Sequence, residues 1–129
     1  MLSLHESAED YLETILILKQ RQGLGRSIDV VNETGYSKPS VSVAMKKLRQ
    51  SGHITVDKDG YISLTPEGAQ TADKVYRRHR LLTRFFVTLG VDEATAAADA
   101  CKIEHDLSEE TFTRILEHAR RHLGTLEEE

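Results

Sequence analysis

Cys101, Glu104 and His105 stand within one short stretch, Cys101-Lys-Ile-Glu-His-Asp-Leu-Ser108, and bring a thiol, a carboxylate and an imidazole to neighbouring positions. Residues three and four apart share a face of a helix. A helical stretch would therefore aim all three donors the same way, as a ligand set for a transition metal. The same thiol, the only one in the chain, equally fits the ordinary use of a lone cysteine as a small buried apolar residue. Glu6, Asp10 and Glu13 fall on one line of an earlier helical pattern, opposite Ala8, Leu12 and Ile15. Exposed, such carboxylates mean little; partly buried, they require a cation. His79 lies on the apolar stripe of another helical segment, where a satisfied core histidine is the alternative. Asp10, Glu13, His79, Cys101, Glu104 and His105 thus offer six candidate ligands from three helices. His118 and His122, at i and i+4, are either an accessory site or simply two exposed histidines. No separate general base or substrate-pocket signature accompanies these groups, so the chain is not expected to be an enzyme.

The elements that must position them can be read from periodicity and caps. Ser3-Leu-His-Glu6 is a capping-box pattern, and Ala8, Leu12, Ile15 and Leu16 continue at helical spacing to about Gln22. Gly23 and Gly25 end that helix; Ser27 starts a short one over Ile28 to Glu33, which Gly35 stops. A third begins near Ser37, tolerates Pro39 in its first turn, places Val41, Ala44, Met45 and Leu48 on one face and ends at Gly52. A short helix, a glycine-containing turn and a second helix have helix-turn-helix spacing. Ile54 to Thr65 then alternates apolar and polar residues around Asp59-Gly60, which predicts a hairpin in the position of a wing. Thr65-Pro66 opens a fourth helix to about Leu89, with Ala69, Ala72, Tyr76, His79 and Phe86 inward and Arg77, Arg78 and Arg80 outward. Asp92 caps a fifth helix with the small-residue line Ala94, Ala97, Ala98, Cys101, His105, and Ser108 caps a sixth to about Leu123 with Phe112, Ile115, Leu116 and Ala119 apolar. Gly124 and the three terminal glutamates read as a frayed tail. The expected fold is mainly α with a small β-hairpin: a winged helix-turn-helix over residues 1–74, then a helical dimerisation and metal-binding lobe over 75–129, joined rigidly inside the fourth helix.

The net charge of −4 conceals a division along the chain. Residues 1–84 hold 13 Lys/Arg and 10 Asp/Glu, whereas 85–129 hold 4 and 11. No acid occurs from Thr34 to Val56, a span that contains Lys38, Lys46, Lys47 and Arg49. Local positive surface is what attracts a phosphate backbone, so double-stranded DNA is permitted as a partner despite the acidic total. Aromatic residues are 5% and Trp is absent, which favours packed helices over a sandwich. One cysteine cannot form an internal disulfide, no signal-like segment opens the chain, and no apolar run is long enough to span a bilayer. A cytoplasmic protein with no membrane and no small-molecule substrate is expected.

Five motifs, "SAEDYLETIL", "SKPSVSVAMKKLRQSGHI", "LTPEG", "RRHRLL" and "IEHDLS", together resemble the diphtheria-toxin-repressor family of metal-responsive regulators. Length and layout are most similar to its short manganese-transport-regulator branch, and the likeness covers roughly residues 4–124. No counterpart of the SH3-like domain that ends the longer iron branch is expected. The resemblance implies a homodimeric repressor that binds palindromic operator DNA when Fe(II) or Mn(II) is bound, with Zn(II) or Co(II) as possible substitutes, and that controls metal-uptake genes. It places Asp10, Glu13, His79, Glu104 and His105 at metal-ligating positions of the manganese branch. Cys101 departs from that pattern, because the branch usually carries a bridging glutamate there; iron-responsive relatives carry cysteine, but typically with methionine at the position of Asp10. The implied site is a hybrid in which Asp10, Cys101, Glu104 and His105 hold one ion and Glu13 and His79 hold a second, weaker one beside Glu104.

For DNA, the third helix leaves Ser40, Ser42, Val43, Lys46, Lys47 and Gln50 outward. Ser37, Lys38 and Ser40 near its N-terminus suit phosphates, and Val43 can meet a thymine methyl or be a plain surface valine. Lys58 stands at the wing tip. The competing expectation is a metal-independent winged-helix regulator, in which all six candidate ligands are incidental.

Overall fold

The structure, a computed structural model, describes residues 4–123. The expected Ser3–Glu6 capping box, the side chain of Glu6 and the tail from Gly124 lie outside the described residues. The chain runs α1 (Leu4–Gln22), α2 (Ser27–Thr34), α3 (Lys38–Gln50), β1 (Ile54–Val56), β2 (Ile62–Leu64), α4 (Pro66–Thr88), α5 (Glu93–Ile103) and α6 (Glu109–Leu123). This is the expected winged helix-turn-helix followed by a helical part. It divides into two compact units, and the division falls between Val75 and Tyr76, inside α4.

The first unit is built on apolar residues at helical spacing. Tyr11, Leu12, Ile15 and Leu18 of α1 pack with Val30 of α2, Val41, Met45 and Leu48 of α3, Ile54 and Ile62 of the hairpin, and Ala72 of α4. Each large side chain so buried contributes about 1.5–3 kcal/mol. Local signals set where the helices stop. Gly35 closes α2 at φ 76, its N–H donating to Val31 O, and Ser37 caps α3 by accepting from Ser40 N at 3.2 Å. Ser27 is the first residue of α2, not its cap: Arg26 precedes it, with its backbone N–H on the Asp29 carboxylate at 2.8 Å. Tyr11 meets Tyr36 edge to face at 5.6 Å and ties α1 to the turn before α3. Arg21 donates two hydrogen bonds of 2.9 Å to Glu33 and holds that carboxyl below its ordinary range.

In the wing, β1 and β2 are antiparallel with Val56 opposite Ile62 and Ile54 opposite Leu64. The turn differs from the expected two-residue Asp59-Gly60 tip. Gly60 N donates to Asp57 O, so Lys58 and Asp59 are the central residues and Gly60, at φ 87, follows them. The Asp57 side chain causes the shift, since its Oδ1 accepts from Asp59 N and Tyr61 N at 2.9 Å. Ile62 also bonds to Gly25 O at 2.8 Å, a single bridge that adds the segment after α1 to the hairpin edge.

The second unit packs Leu81 and Leu82 of α4, Ala100 of α5, and Phe112 and Ala119 of α6, with Phe85, Phe86, Ile103, Leu107, Ile115 and Leu116 against them. Asp92 and Ser108 cap α5 and α6 as expected, accepting from Thr95 N at 3.3 Å and Thr111 N at 3.1 Å. The small-residue face of α5 is misplaced in the sequence pattern: Ala96 and Ala100 are fully buried, whereas Ala94 and Ala98 are exposed. Among the described residues no helix is long and apolar enough to cross a membrane.

The start of α4 depends on one close approach. Thr65 Oγ1 donates to Gly52 O at 2.7 Å and accepts from Gly68 N at 3.1 Å, which draws the helix onto the strand entry. A Cβ added at Gly68 would lie 1.9 Å from the carbonyl oxygen of His53. Gly68→Ala is therefore predicted to destabilise by about 3 kcal/mol through overpacking against backbone. Urea denaturation checks this, and a variant indistinguishable from wild type would mean that α4 lifts off His53 freely.

Candidate metal centre and nucleic-acid interface

In the second unit, His79 comes from α4, Cys101 from the last turn of α5, and Glu104 and His105 from the turn after it. Helix α5 ends at Ile103, short of the expected continuous line through His105. Glu104 still has helical dihedrals, φ −59 and ψ −32, but Asp106 N and Leu107 N both bond to Ile103 O, which tightens the chain into a turn. Glu104 is 2% exposed, and His105 Nε2 lies 3.4 Å from its Oε1. Ligand atoms of His79 and Glu104 lie within 4.8 Å of each other. His79 Nε2 is 3.1 Å from Ala97 O. A carbonyl only accepts, so Nε2 carries the proton and the lone pair of the neutral ring is on Nδ1, the arrangement in which a ligating imidazole is usually held from behind. Cys101 is half-buried and not in a disulfide; its sulfur joins no group of three such donor atoms at that spacing among the described residues.

Asp10 and Glu13 stand three residues apart on α1 of the first unit, Asp10 half-buried and Glu13 at 6% exposure. Glu13 and Glu104 are the buried charged residues among those described. Taking a carboxylate out of water costs several kcal/mol unless it is answered by positive charge or donors. Carboxylates with imidazoles form a donor set suited to Mn(II), Fe(II) or Zn(II), so Glu104 with His79 and His105 in the second unit fits a divalent metal by chemistry, and the carboxylates Asp10 and Glu13 of the first unit are oxygen donors of the same kind.

Arg78 does not point outward as the pattern suggests. Its guanidinium lies over the Phe112 ring at 4.6 Å, donates to Leu107 O at 3.1 Å and reaches Glu109 Oε1 at 3.3 Å. It therefore ties α4 to the turn between α5 and α6, directly after Glu104 and His105. The basic cluster of α4 is not a single outward patch.

On α3 the face division is as expected. Lys38, Ser40, Ser42, Val43, Lys46, Lys47 and Gln50 are exposed, with Val43 at 54%. Ser37 Oγ caps the helix and is bonded to Ser40 Oγ at 2.9 Å, so both hydroxyls already serve the helix start. Val43 also forms part of an apolar groove of about 710 Å³ between α1 and α3, with Tyr11, Leu12, Pro39, Ala44 and Leu48. Lys58 is exposed at the centre of the wing turn. Beside the wing stands a cation that the sequence pattern does not mark. Arg26 stacks over Tyr61 at 4.5 Å and donates to its hydroxyl at 3.2 Å, a pairing across 35 residues next to the Gly25–Ile62 bridge.

Residues 3–66 match the family model of the N-terminal DNA-binding domain of iron-dependent repressors, and residues 65–122 match that of their metal-binding and dimerisation domain. The chain is 34% identical over 117 residues to the transcriptional regulator MntR of Salmonella typhimurium, covering 91% of this chain and 74% of that protein. It is 34% identical over 112 residues to a helix-turn-helix regulator of Methanocaldococcus jannaschii, covering 85% and 90%. A manganese-dependent transcriptional repressor solved in complex with manganese superposes with a TM-score of 0.79 at 29% identity, over 86% of this chain and 51% of that one. IdeR of T. acidophilum gives a TM-score of 0.75 at 26% identity, over 85% and 52%. The chain spans about half the length of these solved structures.

The contacts of Arg78 yield a prediction for the second unit. Arg78→Ala should cost about 2 kcal/mol, from the lost stacking and the charged hydrogen bond to a carbonyl. Arg78→Lys should recover less than half of this, since an ammonium cannot stack flat and reach Leu107 O together. Chemical denaturation of the three proteins decides it; an Arg78→Ala variant as stable as wild type would make these contacts incidental.

Proposed function

Since the chain belongs to the iron-dependent repressor family of metal-responsive transcriptional regulators, we propose that it is a metal-dependent transcriptional repressor. It acts as a cytoplasmic homodimer that binds palindromic operator DNA when Fe(II) or Mn(II) is bound and controls metal-uptake genes. One observation carries this proposal: Glu104, a carboxylate at 2% exposure, is set beside the imidazoles of His79 and His105 in a chain whose other unit is a winged helix with an exposed basic third helix. That combination suits a DNA reader controlled by a cation.

The proposed ligands are Asp10, Glu13, His79, Cys101, Glu104 and His105. Asp10, Cys101, Glu104 and His105 hold one ion; Glu13 and His79 hold a second, weaker one beside Glu104. When bound, the metal would supply positive charge beside the buried carboxylates Glu13 and Glu104. A thiolate from Cys101 shifts preference from Mn(II) toward Fe(II), Co(II) or Zn(II). With ligands in both units, occupancy restrains the reading heads of a dimer to the separation that two half-sites about one helical turn apart require. Without it, mutual repulsion of the carboxylates favours other separations.

Base edges are met by α3. Ser42 and Val43 face the groove, Lys46 and Lys47 meet phosphates, and Ser37, Lys38 and Ser40 present the positive end of the α3 dipole to the backbone. Lys58 touches the backbone from the wing.

The test is operator binding by the full chain across a range of salt concentrations, with Mn(II) or Fe(II) and after exhaustive chelation. Chelation should weaken specific binding by about 10- to 100-fold, the range of ordinary site-to-site coupling. In the same measurement, Lys46→Ala should weaken binding to all sequences and reduce the salt slope by about one unit. Undiminished binding after chelation overturns the proposal, and an unchanged slope removes Lys46 from the phosphate contacts.

A further inference from the structure

His118 and His122 sit one turn apart on α6, both exposed, with ring centres 4.4 Å apart and planes tilted by 38°. Among the described residues neither ring enters a hydrogen bond. The helix itself sets the spacing, since side chains at i and i+4 stack one above the other on the same face. Two imidazoles bound cis at a right angle, with metal–nitrogen bonds of about 2.0–2.1 Å, have ring centres about 4.5 Å apart, whereas a tetrahedral angle spreads them to about 5 Å. The two rings are therefore already close enough for one ion to take a nitrogen from each.

The surroundings narrow the choice of ion. Arg114 precedes His118 by one turn and is held by Glu117 at 3.3 Å, and Arg121 lies between the two histidines in sequence. No carboxylate joins the two imidazoles in a three-donor group among the described residues. A nitrogen-only pair beside arginines offers little to a hard ion such as Mn(II), which gains most from oxygen ligands. It suits ions that bind imidazole strongly, in the order that peaks at Cu(II), with Ni(II) close behind. We propose that His118 and His122 form a second metal site that chelates Cu(II) or Ni(II), open to solvent and separate from the six ligands assigned above. It is independent of the corepressor proposal, since none of those ligands takes part.

Equilibrium dialysis of the full-length protein with Ni(II) tests this. Wild type should bind one more ion per chain than His118→Ala or His122→Ala. Either substitution alone should weaken that last ion by at least about tenfold, because the second imidazole otherwise binds as an intramolecular ligand at high effective concentration. Both side chains are exposed, so the variants should keep the far-ultraviolet dichroism of wild type. A second readout avoids substitution altogether: Ni(II) should shield His118 and His122 from acylation by diethylpyrocarbonate, mapped by mass spectrometry. Equal Ni(II) stoichiometry and affinity in all three proteins, or histidines modified at the same rate with and without Ni(II), overturns the proposal.

Discussion

A carboxylate held at 2% exposure, as Glu104 is, cannot remain ionised at low cost by solvation, and the local architecture of the second unit is arranged around that fact. Helix α5 stops at Ile103 so that Glu104 and His105 leave it on a tightened turn. Arg78 fixes the following residues by stacking on Phe112 and bonding to Leu107 O. His79 is held from behind by Ala97 O, which settles the position of its proton. Each contact spends rigidity on a place where charge is concentrated, an arrangement expected where a cation must be recognised rather than where packing alone is served.

The first unit answers a different demand. Its core of Leu12, Ile15, Val30, Val41, Met45 and Leu48 is ordinary, and what it positions is the exposed row of α3 with Lys46 and Lys47. The charge division is local rather than a division between the units: the acid-free span from Thr34 to Val56 is α3 with its two flanks, while residues 1–75 hold 9 Lys/Arg against 10 Asp/Glu and residues 76–129 hold 8 against 11. A protein of net charge −4 can thus present a basic surface where DNA is expected.

Much of this was legible in the sequence wherever a local signal settled a local choice. Ser37 with Pro39, Thr65 with Pro66, Asp92 and Ser108 announced four helix starts, and the apolar period of α3 gave its buried face. Legibility failed where contrast or locality was missing. In α5 nearly every residue is small, so the line Ala94, Ala97, Ala98 could not be told from the buried pair Ala96 and Ala100 by periodicity. Arg78 looks like its neighbours Arg77 and Arg80 on a helical wheel; only the fold brings Phe112, 34 positions later, beneath it. The wing turn shifted because the Asp57 side chain competes for the backbone donors of Asp59 and Tyr61, an effect that the Asp-Gly pattern does not contain. Candidate ligands were legible as residue types, and the burial of Glu13 and Glu104 is what the sequence could not supply.

Linkage between the two kinds of ligand tests the central claim most directly. Mn(II) or Fe(II) affinity of the full chain, measured by titration in the presence and absence of saturating operator DNA, should rise with DNA by the same factor by which the metal raises operator affinity, because coupling between two bound ligands is reciprocal. Identical metal affinity with and without the operator would contradict a metal-controlled DNA reader.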